Sequence, residues 1–222
     1  MSIVGSLRTV LAATAVAGTA LWLNPASASL VAVAETNAGD TTATAQDLRP
    51  LGGGLISGAL SNEGATLDWV DMYLVSAGTG KFYASTGDGL DLSLVADPVL
   101  YLFDALGRAV AMDDESGGNG QALIDILSGL AEGDYYLAIA FGGVEPLDAG
   151  GNALFDVFGT GGVLSMDPLA TWGGSPLAID PGIAGRYQLA FVVPAPGTLA
   201  LTGLGLAALL GARRARAQRA AP

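Results

Sequence analysis

The densest chemistry in the chain lies at Asp113-Asp114-Glu115, with Asp104 upstream across a turn at Gly107. Carboxylates in such a turn suit a hard cation, because calcium takes six to eight oxygen ligands and backbone carbonyls can complete the set. No twelve-residue EF-hand pattern is present, so calcium is a candidate cofactor on these four residues and no cofactor is certain. A solvated acidic turn that ends a strand is the other reading of the same residues. Acid–base hydrolysis would need two carboxylates facing each other across a cleft, and 21 acids offer no way to choose a pair by spacing. Most other catalytic chemistry is excluded. The chain has no His and no Cys, which removes imidazole triads, thiol nucleophiles, zinc fingers and disulfides, and Lys81 is its only lysine.

The acids must be positioned by β structure. Short runs rich in Val, Ile, Leu, Tyr and Phe alternate with clusters of Gly, Asp and Asn. Strands are expected at Leu55–Leu60, Leu67–Val75, Lys81–Thr86, Val99–Phe103, Ala109–Met112, Leu123–Leu127, Tyr135–Phe141 and Tyr187–Val193. No intervening segment sustains a 3.6-residue apolar period, so helices should be scarce between residues 29 and 193. An all-β, antiparallel jelly-roll-like sandwich follows. If Val99–Phe103 and Ala109–Met112 form a hairpin, Asp104 and Asp113 sit near opposite ends of it. The sequences Gly133-Asp134-Tyr135-Tyr136-Leu137-Ala138 and Gly185-Arg186-Tyr187-Gln188-Leu189-Ala190 repeat one pattern, and alternation puts their Tyr and Leu on the core face.

Charge divides the chain into three. Residues 31–193 hold all 21 acids against four basic side chains (Arg49, Lys81, Arg108 and Arg186), a formal charge of −17 within a whole-chain value of −12. So acidic a surface speaks against nucleic acid as a partner. Residues 1–28 carry one charge, Arg8, then an apolar run ending in Ala26-Ser27-Ala28. This is the pattern of a signal peptide for the Sec export machinery, cleaved before Ser29. The tail runs from Pro194-Ala195-Pro196-Gly197 through a Gly/Leu stretch to Arg213-Arg214-Ala215-Arg216. A helix over residues 198–212 would be about 22 Å long against a hydrocarbon core of about 30 Å, so it would insert but span poorly. Arginines directly after it should remain cytoplasmic, which places everything before Pro194 on the outer face.

Two resemblances rest on these residues. Val193-Pro194-Ala195-Pro196-Gly197-Thr198-Leu199-Ala200-Leu201, the short Gly/Leu helix and the cluster Arg213, Arg214, Arg216 resemble a PEP-CTERM sorting signal, with Ala195 where the motif carries Glu. That resemblance implies an exported protein of a polysaccharide-producing Gram-negative bacterium, held transiently in the inner membrane and cleaved by exosortase near the Pro-x-Pro motif. Asp68-Trp69-Val70-Asp71-Met72-Tyr73, Asp97-Pro98-Val99-Leu100-Tyr101-Leu102-Phe103-Asp104, Ala111-Met112-Asp113-Asp114-Glu115 and Gly133-Asp134-Tyr135-Tyr136-Leu137-Ala138-Ile139 resemble, in order, the bacterial pre-peptidase C-terminal domain. This second resemblance implies a small jelly-roll accessory module.

The expected organisation is a signal peptide (1–28), a lead segment (29–54), the sandwich (55–193) with a long loop (144–184), and the sorting signal (194–219). A loop of that length without regular structure is uncommon in a compact domain. Its Phe155, Phe158 and Trp172 would either stack on sugar rings or pin the loop to the sandwich. The function read from all this is non-catalytic work at the cell surface or in the extracellular polysaccharide matrix. The rivals are a calcium-dependent or carbohydrate-binding accessory module and, behind it, a carboxylate hydrolase.

Overall fold

The fold is taken from a computed structural model that describes residues 31–36, 38–61, 67–78, 80–86, 95, 97–158, 161–176 and 184–192. The signal residues Ala26, Ala28 and Ser29 and the tail residues Pro194, Ala195, Pro196, Gly197, Arg213, Arg214 and Arg216 lie outside the described residues. So do both segments expected to form flanking helices.

Two five-stranded sheets form a sandwich-like arrangement. The first orders β1 (Val31–Ala34), β3 (Gly53–Ser61), β12 (Ala184–Val192), β5 (Gly80–Ser85) and β8 (Leu123–Leu130). The second orders β2 (Gln46–Asp47), β4 (Val70–Ala77), β9 (Gly133–Phe141), β6 (Pro98–Asp104) and β7 (Ala109–Asp113). No helix occurs among the described residues. The eight expected strands are present with boundaries shifted by at most three residues, as where β4 starts at Val70 rather than Leu67 and β8 ends at Leu130 rather than Leu127.

Two departures matter. The lead segment contributes β1 and β2, each pairing in parallel at the edge of a different sheet. Val31-Ala32-Val33-Ala34 is short and mostly exposed, so it carries none of the core alternation that marks the longer strands. The second departure is the segment expected to be an irregular loop. Val144–Leu147 (β10) and Thr171–Gly174 (β11) pair antiparallel within it. Asp148, nearly buried, accepts backbone hydrogen bonds from Gly150 (2.8 Å) and Asn152 (2.9 Å) and closes the turn after β10. Those bonds hold its carboxyl below the usual carboxylate range.

Register explains why this segment is ordered. Across the second sheet, Asp71 pairs with Ile139 and Ile139 with Leu100, while Tyr73 pairs with Leu137 and Leu137 with Leu102. These rows share the face toward the first sheet, since successive side chains alternate. The opposite face carries Met72, Ala138 and Tyr101 in one row and Tyr136 and Phe103 in the next. Pro98–Phe103 is buried at every position, which requires cover on both faces. Residues 144–176 supply the outer cover. Phe155 sits 5.6 Å from Tyr101 and 5.9 Å from Phe103, ring centre to ring centre, and Trp172 lies 5.5 and 6.2 Å from the same two rings. The Tyr101 hydroxyl donates to the Val144 carbonyl at 2.8 Å.

Phe155 is 1% exposed and Phe158 74% exposed, so truncation should separate them. Phe155→Ala should cost about 3–5 kcal/mol, whereas Phe158→Ala should change stability by about 0.5 kcal/mol or less. Urea unfolding of the two variants beside the parent checks this; equal losses would mean that Phe155 does not hold the cover in place.

Candidate functional site

The structure disperses the acidic cluster read from the sequence. Asp104 ends β6, and its Oδ1 accepts the amides of Leu106 (2.8 Å) and Arg108 (2.9 Å), capping the turn to β7. Asp113 pairs with Leu100, toward the far end of the same hairpin. Its Oδ2 accepts the amides of Ser116 (2.9 Å) and Leu123 (2.7 Å). Asp114 is half-buried and adds to burial, the larger cause, in raising the proton affinity of Asp97, and Glu115 is exposed. Among the described residues no three acids are grouped to hold a metal ion. The three aromatics also part company: Phe155 and Trp172 belong to the ring cluster over Tyr101 and Phe103, and Phe158 stands apart in solvent.

Two features were not singled out from the sequence. The first is a polar bridge inside the sandwich. Asp71, on the inner face of β4, is fully buried. The Tyr187 hydroxyl of β12 donates to its Oδ2 at 2.6 Å, and the Tyr73 hydroxyl is hydrogen-bonded to that of Tyr187. Asp71 Oδ1 is buried with no partner. Tyr187 reaches this position because its cross-strand neighbour is Gly58, where a Cβ would overlap the tyrosine ring. Burial pushes the Asp71 carboxyl up to about 8; Tyr187 opposes the rise, while Asp68 and Glu35 add to it. Both tyrosines are held well above the usual phenol range, mainly by burial. The visible signal was an acid two positions before Tyr73 in an alternating strand, the parity of the core.

The second feature is a hollow of about 510 Å³ lined by Glu35, Asp40, Leu67, Asp68, Trp69 and Trp172, among others. It lies where the chain leaving β1, the approach to β4 and the start of β11 converge. The Trp172 indole N–H donates to the Asp40 carbonyl at 2.6 Å and ties the cover segment to the 35–45 crossing. Glu35 accepts the Ala38 amide at 3.1 Å. Asp68 is half-buried, and its carboxyl rises to about 6 through burial, then Glu35, then Asp40. A smaller hollow of about 450 Å³ shares Glu35 and is walled by Gly58, Arg186 and Tyr187.

The buried acid gives a pH dependence of definite sign. Unfolded Asp71 titrates at its ordinary value near 3.8, while the folded carboxyl keeps its proton to about 8. Between those values the folded state binds the extra proton, so stability falls as pH rises from about 4 to about 8 and levels off beyond. The groups facing it, Tyr73, Tyr187, Asp68 and Glu35, carry no positive charge that would reverse the sign. Asp71→Asn should therefore melt near the parent at pH 4 and above it at pH 8.5. Thermal melts across that range check this, and a variant that loses stability equally at both pH values would show that the carboxyl is not held protonated.

No protein-family model matches the chain, and no curated protein does. Among solved structures, the chain is similar to the pre-peptidase C-terminal domain of a collagenase from Bacillus anthracis, at 12% identity over 73% of this chain and 95% of that one, with a TM-score of 0.32. It is also similar to PliG of Aeromonas hydrophila, a periplasmic inhibitor of g-type lysozyme, at 12% identity over 73% of this chain and 96% of that one, with a TM-score of 0.31.

Proposed function

We propose that the chain is an exported, non-catalytic β-sandwich protein of jelly-roll type, delivered to the cell surface or extracellular matrix and trimmed by exosortase at its C-terminal signal. The observation that carries this reading is the position of the last described strand. β12 lies in the middle of the first sheet and ends at Val192, two residues before Pro194-Ala195-Pro196. Cleavage there would leave every strand of the described sheets intact, as a processing signal requires. The apolar run and the Arg213–Arg216 cluster then serve as a transient inner-membrane hold, in keeping with the removal of hydrophobic tails from other surface anchors.

A non-catalytic role is supported by how the carboxylates are used. Asp104, Asp113 and Asp148 accept backbone amides in turns. Asp47 and Asp134 bind Arg49 at 2.6 and 3.2 Å on the surface. Asp71 is enclosed in the core, away from any substrate in water.

Intact mass spectrometry of the protein from membrane, surface and medium fractions of its native host tests the reading. The expected mature species begins at Ser29 and lacks everything after about Pro196. An intact tail recovered with the membrane would mean a permanently anchored protein and would overturn exosortase processing.

A further inference from the structure

The hollow between Trp69 and Trp172 has the chemistry of a ligand site. Its volume of about 510 Å³ falls within the usual range of about 300–1,000 Å³ for small-molecule sites. Leu67 is exposed at its rim, and both indoles are only partly buried. Trp172 is held from two sides, by its N–H bond to the Asp40 carbonyl and by its packing on Tyr101 and Phe103. A preorganised aromatic surface of this kind costs little to bind against.

The polar groups beside it are acceptors. The Asp68 carboxyl is half-buried and has no hydrogen-bond or ion-pair partner among the described residues, so part of its hydration is lost without replacement. Glu35, Asp40 and Asp68 line the hollow, but among the described residues no three acids come close enough together to hold a metal ion. An anionic ligand is disfavoured by Glu35, Asp40 and Asp68 together. The partly exposed indoles suit a neutral molecule that has an apolar face for an indole and adjacent hydroxyl donors for a carboxylate, and an organic cation is the competing occupant that the test must separate.

We propose that this hollow binds a neutral saccharide, one sugar face lying against Trp69 or Trp172 and its hydroxyls donating to Asp68 and Asp40. The proposal deepens the reading of an exported, non-catalytic protein and rests on it for where the sugar is met. It moves the binding role away from Phe155 and Phe158, which are respectively enclosed in the cover and remote in solvent.

The test is titration calorimetry with indole fluorescence on the protein purified from its host, using neutral hexasaccharides of glucose, mannose and galactose as probes and a hexagalacturonate as the charged control. One neutral probe should bind saturably with a near-integral stoichiometry and perturb indole emission, and the control should not bind. Asp68→Asn and Asp40→Asn should each weaken binding about tenfold, while Phe158→Ala leaves it unchanged. The two Asp variants keep side-chain shape, and unaltered melting curves would show that they remain folded. Trp172→Ala should abolish binding, but it also opens the core, so the Asp pair carries the conclusion. Failure of every neutral probe to saturate at millimolar concentration would overturn the proposal, as would binding indifferent to both Asp variants, or stronger binding of the galacturonate or of tetramethylammonium as a cationic probe. Correct tail removal without saccharide binding would sink this inference alone. Saccharide binding by a protein that keeps its tail would leave the site standing and remove the sorting reading.

Discussion

The architecture depends on one constraint: the central strands of the second sheet are apolar on both faces. β6 is buried from Pro98 to Phe103, and β9 is buried from Leu137 to Phe141. A sheet with two apolar faces needs two covering layers, and the first sheet can supply only one. The other is the segment from Val144 to about Ser175, whose Phe155 and Trp172 rest on Tyr101 and Phe103. Its hairpin, its Asp148-centred turn and its bond from Trp172 to the 35–45 crossing follow from having to lie flat on a surface that water must not reach. The larger hollow is a by-product of the same geometry, formed where the end of the cover meets the crossing chain.

The interior is also tied across its middle by Asp71, Tyr187 and Tyr73. A buried carboxyl with an unpaired oxygen is an expensive component, and an apolar residue of similar size would pack in its place at less cost. The bridge nonetheless joins the two sheets at a defined register, because Tyr187 can reach Asp71 only over Gly58. The acid exchanges stability for that definition by staying protonated where ordinary aspartates are charged. Outside the core, the surface is almost wholly anionic. Arg49, shared by Asp47 and Asp134, makes exposed pairs that contribute little. Solubility and repulsion of anionic partners are the main consequences of that charge.

Much of this was readable in the residues before any coordinates. Alternating apolar runs with Gly- and Asp-rich punctuation placed eight strands, because a half-buried strand cannot hide its period. The repeated Gly-x-Tyr-x-Leu-Ala pattern put Tyr135, Leu137, Tyr187 and Leu189 in the core for the same reason, and all four are buried. The separation of Asp104 from Asp113 followed from hairpin geometry. Composition ruled out imidazole and thiol chemistry outright.

Other features exist only through pairing. β1 and β2 are short and carry little apolar contrast, so their parallel edge positions depend on partners far along the chain. The ordering of residues 144–176 depends on an apolar face contributed by β4, β6 and β9 together, which no local window displays. The candidate site is the clearest case: Glu35, Asp40, Asp68, Trp69 and Trp172 span more than 130 positions and converge only because two sheets and their cover meet at one edge. Local chemistry determined the strands, the core parity and the excluded reactions, since those are properties of neighbours in sequence. Tertiary structure alone decided which acids cap turns, which are buried and which face a hollow, because each outcome depends on groups that only folding brings within a few ångströms.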